Sequence, residues 1–188
     1  MQNQDAFEKR EQTLEDEFFY RVDAQLRADI RRSLERESSR EALSEATGMS
    51  DPDLLEALLD CGLQATSIAA FALVPAVFVA WADYSVTEPE RETVMQAAEK
   101  RGIEKDSLAW QVLHSWLDSP PKKSLWETLQ RYADAVKQSL PQAATVMLSA
   151  NIVHIAETVA EASGGVLGIG KTSKNEQAVI DDIKATLG

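Results

Sequence analysis

LQATSIAAFALVPAVFVAWA, residues 63–82, carries no formal charge, and neither does SLPQAATVMLSANIVHIA, residues 139–156. In a chain with 31 acidic and 19 basic side chains, two such runs stand apart from everything around them. Their length raises a membrane hairpin. Gln64, Thr66, Ser67 and Pro75 interrupt the first, and Pro141, Gln142, Asn151 and His154 the second. No Lys/Arg cluster flanks either, as an oriented span would require. Helices apolar all round are otherwise the buried centre of a helical protein, so both runs are read as central helices with amphipathic helices wrapped about them. No transmembrane segment is expected.

The flanking sequence is punctuated for helices. A capping box needs Ser or Thr at the N-cap and an acid three residues on, each returning the other's hydrogen bond. Ser38 to Glu41, Ser50 to Asp53, Thr87 to Glu90, Ser124 to Glu127 and Ser173 to Glu176 fit that spacing. Gly48, Gly62 and Gly102, and the pair Pro120 and Pro121, fall where helices should stop. Strand-like alternation is nearly absent, so the fold class is all-α. Before the first run, Phe7, Leu14, Phe18, Val22, Leu26, Ile30 and Leu34 recur mainly four apart among charges of both signs. This spacing predicts a long amphipathic helix from about Asp5 to Arg36, its apolar stripe winding around the axis because four exceeds the 3.6 period. The stripe packs either along its own domain or on a partner subunit. The organisation expected is an N-terminal helical arm over residues 1–48 and a helical domain over 49–188.

Composition bounds the function. At 188 residues, roughly 70% of the unfolded surface can be buried, so the core needs neither disulfide nor structural metal. Cys61 stands alone, and without Cys pairs or a signal peptide the expected address is the cytoplasm. A net charge of −12 opposes phosphate backbones, which excludes nucleic acid as the expected partner.

The two charge-free runs share a further pattern. Val79-Ala80-Trp81-Ala82 and Val159-Ala160-Glu161-Ala162 both read V-A-x-A, each is followed by a loop and a capping box, and Val94 or Ile180 follows four residues after the box's Glu. Two copies of such a unit would pair their central helices about a rough twofold. The phrase VAWADYSVTEPER, residues 79–91, followed by Gly102-Ile103, resembles the A-D-G-x-[IV]-[ST]-x-x-E signature of the TerB-like domains of tellurite-resistance systems. The resemblance covers roughly residues 54–187 and implies a compact all-helical bundle built on an internal duplication, linked to stress response. It also implies divalent-cation ligands at the loop Asp and downstream Glu of each half: Asp83 and Glu90 in the first, Glu176 in the second. Tyr84 replaces the glycine after the Asp, and Ser163 stands where a second Asp would be, so half of a paired site remains. One Asp with one or two Glu is a thin shell for Ca²⁺ or Mg²⁺.

Other motifs compete with plainer readings. Gly165 to Thr172 satisfies G-x-x-x-x-G-K-[ST], but a helix precedes it and no parallel sheet has room to form, so nucleotide is not expected there. His154, Glu157 and Glu161 share one helix face and offer an alternative metal or acid/base site. They lack the ordered Glu-x-x-His pairs of a di-iron bundle. His114 and the cluster Trp110, Trp116, Trp126 and Tyr132 read as packing residues. The leading expectation is a non-enzymatic TerB-like stress-response scaffold or sensor, acting through a protein partner or homo-oligomer on the N-terminal helix and binding a divalent cation weakly. The rival is a helical-bundle enzyme or metal carrier using the His154 face. A weaker one is peripheral membrane attachment through the N-terminal helix, which its mixed charge disfavours.

Overall fold

A computed structural model describes residues 2–162 and 172–188, with side chains from Gln25 onward. All regular structure among these residues is helical: α1 (Gln2–Thr47), α2 (Pro52–Asp60), a 3₁₀ segment (Ile68–Leu73), α3 (Val74–Ala80), α4 (Glu88–Lys100), α5 (Leu108–Asp118), α6 (Lys123–Ser139), α7 (Gln142–Ala162) and α8 (Lys174–Leu187). The chain divides into two compact units, Met1–Glu41 and Ala42–Gly188.

The described residues of the first unit all belong to α1, which runs past the expected end at Arg36. Ser38 does not cap a new helix, because no Gly or Pro interrupts the chain there and Ser39 Oγ donates back to the Glu35 carbonyl at 2.8 Å. Ion pairs of Arg32 with Asp29 and of Arg40 with Glu37 lie along the same helix. They add only tenths of a kcal/mol each, about 0.2–0.5. The helix stops at Gly48, whose φ of +70° suits glycine.

In the second unit, Asp51 rather than Ser50 caps α2, its Oδ1 accepting from Asp53 N at 3.0 Å. Lys122 precedes α6 without a side-chain cap, so Ser124 sits inside the first turn instead of starting it. Ser107, which has no acid three residues on, caps α5 by accepting from Trp110 N at 3.2 Å. The boxes at Thr87 and Ser173 form as the spacing predicts.

The first charge-free run is not one helix. Pro75 lacks an N–H and is tolerated only in a helix's first turn, so α3 starts at Val74 and the preceding residues form the 3₁₀ segment. Its side chains are core nonetheless: Ala70, Leu73, Val77, Val79 and Ala80 pack with Val94, Leu113, Val159 and Ile183 in one cluster. Leu43, Leu54, Leu58, Leu63, Phe71 and Leu125 form a second. Trp110, Trp116, Trp126 and Tyr132 pack against these clusters, and further aromatic contacts tie elements together. Trp81 Nε1 donates to the Trp116 carbonyl at 2.8 Å, and Phe78 meets Trp126 edge-on with centroids 5.0 Å apart.

The second run departs from expectation. α7 buries Ile152, Ala156, Val159 and Ala160 against α3, α4 and α8. Its first half is exposed, with Val146 60% and Met147 75% accessible. Absence of charge lowers the cost of burial without enforcing it. Among the described residues α7 is the one helix with the length and apolarity of a membrane span, and its second half belongs to the protein core.

Candidate functional site

Of the three acids singled out by the sequence, Glu176 and Asp83 both come within electrostatic reach of Glu90. Glu90 and Glu176 are each the third residue of their helix and 3% and 1% exposed. Glu90 Oε2 accepts from Thr87 N and from Thr87 Oγ1, both at 2.7 Å. Glu176 Oε2 accepts from Ser173 N at 2.5 Å, while Ser173 Oγ accepts from Glu176 N at 3.1 Å. Asp83, exposed in the turn after α3, accepts from Asn175 Nδ2 at 2.9 Å. Burial pushes the Glu90 carboxyl above its ordinary value of 4.5, the Thr87 hydrogen bonds oppose this, and the charges of Glu176 and Asp83 add to the rise.

The same geometry shows how these oxygens are used. One oxygen of each buried Glu satisfies helix-start N–H groups that would otherwise be orphaned. Among the described residues no group of three or more His, Cys, Asp or Glu side chains is placed to hold a metal ion. Tyr84, the departure from the signature, has φ +66°. The backbone there adopts the left-handed conformation that glycine favours although the residue is tyrosine.

The His154 face is arranged differently. His154 and Glu161 are exposed, and Glu157 Oε1 pairs with Lys184 Nζ at 2.8 Å. That contact holds the Lys184 ammonium above its usual range. His114 is half-buried beside Trp110, ring centroids 5.6 Å apart. Cys61 Sγ lies 3.5 Å from Thr128 Oγ1. Residues 163–171, which hold Ser163 and most of the Gly165 to Thr172 pattern, lie outside the described residues.

Sequence reasoning missed a cavity of about 510 Å³ in the second unit, bordered by the end of α1, the 3₁₀ segment, α6, α7 and the end of α8. Met49, Phe71, Leu129, Val136, Leu148 and Ile152 are among its apolar lining. No motif announces it, because the lining comes from five separate segments; the one sequence signal is a charge-free start to α7 that the core does not consume. Compared with known proteins, the chain matches no family model, no curated protein and no solved structure.

Proposed function

We propose that this chain is a non-enzymatic, TerB-like stress-response scaffold or sensor module that works through protein contacts made by its N-terminal helix. The observation that carries the reading is the exposure of Leu26, Ile30 and Leu34, at 56%, 52% and 66%. They recur four apart on a helix of 46 residues. A lone exposed leucine needs no explanation, but a row of them on one helix is the pattern of a surface that is covered when it functions. The TerB-like part of the reading rests on matched details in the two halves. Val79 and Ala80 are buried as Val159 and Ala160 are, Thr87 and Ser173 head equivalent capping boxes, and Val94 and Ile180 are both core.

The test is to replace Leu26, Ile30 and Leu34 together by Gln, and separately to remove the residues before Arg36. Sedimentation should report a lower oligomeric mass, or affinity capture a changed partner set, with the melting temperature of the remaining domain preserved. Unchanged mass and unchanged partners in both variants would overturn a recognition role for this helix.

A further inference from the structure

The cavity beneath α7 differs from the rest of the protein in its charge. In a chain with 31 acidic side chains, its described lining contains no Asp or Glu, and Lys137 is its single charged side chain. Its polar inventory is smaller than it first looks. Thr47 Oγ1 donates to the Leu43 carbonyl, Ser139 Oγ to Ala135, Thr145 Oγ1 to Pro141 and Ser149 Oγ to Leu187. Each of these hydroxyls spends its proton on the backbone, which leaves the Tyr132 hydroxyl and the Lys137 ammonium as the other side-chain donors of the lining. Lys137 lines the cavity, is half-buried and gives one N–H to the Thr186 carbonyl at 2.8 Å, so its ammonium keeps further donors. The volume, about 510 Å³, lies within the range of small-molecule sites, and an apolar pocket with few convergent polar groups is the usual form of one.

We infer that this cavity binds a long-chain carboxylate, with the acyl chain against Phe71, Val136 and Ile152 and the carboxylate on Lys137. The chemistry left unspent at the wall matches both ends of such a molecule: apolar surface for the chain and one cation for the head. An acidic peptide or a cationic amphiphile finds no such match, since one lysine cannot serve several acids and no acid faces a cation. This site is independent of the contacts proposed for Leu26, Ile30 and Leu34.

The experiment titrates the full chain with laurate below its micellar concentration and with dodecanol as the uncharged control, by calorimetry. The wild type should bind laurate saturably at one site. Lys137→Gln should weaken laurate roughly tenfold and leave dodecanol unchanged. Ala69→Phe, at an exposed position of the lining, should reduce both ligands. Circular dichroism and melting confirm folding of each variant, and Lys137→Gln alone suffices if Ala69→Phe does not fold. Absence of saturable laurate binding, or equal affinity for laurate and dodecanol in wild type and Lys137→Gln, would overturn the inference. So would binding to anionic phospholipid vesicles without binding of monomeric laurate, or a dimer that excludes laurate, which would make a membrane or a second copy the occupant.

Discussion

Asn175 Nδ2 donates to Asp83 Oδ1 at 2.9 Å, tying the first turn of α8 to the turn after α3 across 92 positions of sequence. Asp83 lies four residues before the capping box of Thr87 and Asn175 lies inside that of Ser173, so this bond links the two box regions where the buried Glu90 feels the charge of Glu176. It also sets the terms for any cation. An ion at Asp83 must compete with the Asn175 amide and find its other ligands among carboxylates already engaged as caps. Millimolar Ca²⁺ or Mg²⁺ is therefore expected to leave the melting temperature unchanged, by differential scanning fluorimetry. A rise abolished by Asp83→Asn would reverse this and place a cation among Asp83, Glu90 and Glu176.

Tyr84 follows Asp83 with φ +66° and its side chain 88% exposed. A non-glycine residue in this region costs about 1–2 kcal/mol, and the exposed ring gives little packing in return. Tyr84→Gly removes that strain but adds backbone entropy to the unfolded chain, about 0.5–1 kcal/mol. The expected net is a gain between zero and about 1.5 kcal/mol in urea denaturation. A clear loss of stability would mean that the ring makes a contact worth more than the strain.

Glu90 makes stability depend on pH. Its folded-state value is raised above 4.5, mainly by burial, so the folded protein holds that proton more tightly than the unfolded chain does. The contribution is fully present below about 4.5 and is lost as pH rises through the folded-state value. Glu90→Gln keeps an oxygen acceptor for Thr87 and cannot ionise. Relative to wild type, the variant should gain stability as pH goes from 4 to 7; a constant difference across that range would show that Glu90 ionises without cost.

The capping boxes separate what the sequence encodes from what it suggests. Thr87→Ala and Ser173→Ala should each cost about 1 kcal/mol, the usual worth of an N-cap. Ser38→Ala, at an exposed position within α1, should be neutral or slightly stabilising because alanine is the better helix former. If Ser38→Ala costs as much as Ser173→Ala, a helix does begin there.

These contrasts show why the all-α fold was legible and some boundaries were not. Thr87 and Ser173 are themselves in extended backbone as their helices begin, so each hydroxyl reaches the N–H of the residue three on. Ser38 has the same local spacing in a segment where nothing stops the preceding helix, and the α1 backbone bonds continue through it. Pro75 could be seen in the sequence, but its effect of dividing the first charge-free run follows from where a proline ring fits in a helix. The proximity of Asp83, Glu90 and Glu176 was suggested by the family resemblance; that two of them cap helices with the same oxygens is a matter of three-dimensional geometry. The cavity around Lys137 was invisible because its walls are assembled from segments far apart in the chain.

The two halves of α7 test most directly whether a charge-free run means a buried helix. Val159 is fully buried and Val146 is 60% exposed, and both lie on the same helix. Val→Ala removes two methyl groups at either site and gains the same helix propensity, so the difference between the variants reports burial alone. Val159→Ala should cost about 2–3 kcal/mol from lost transfer energy and the cavity left behind. Val146→Ala should stay within about 0.5 kcal/mol of wild type, as surface substitutions do. Equal and large losses in chemical denaturation would mean that Val146 is covered in solution, by a second copy or another partner, and that the apolar start of α7 is an interface rather than the free surface beside the Lys137 cavity.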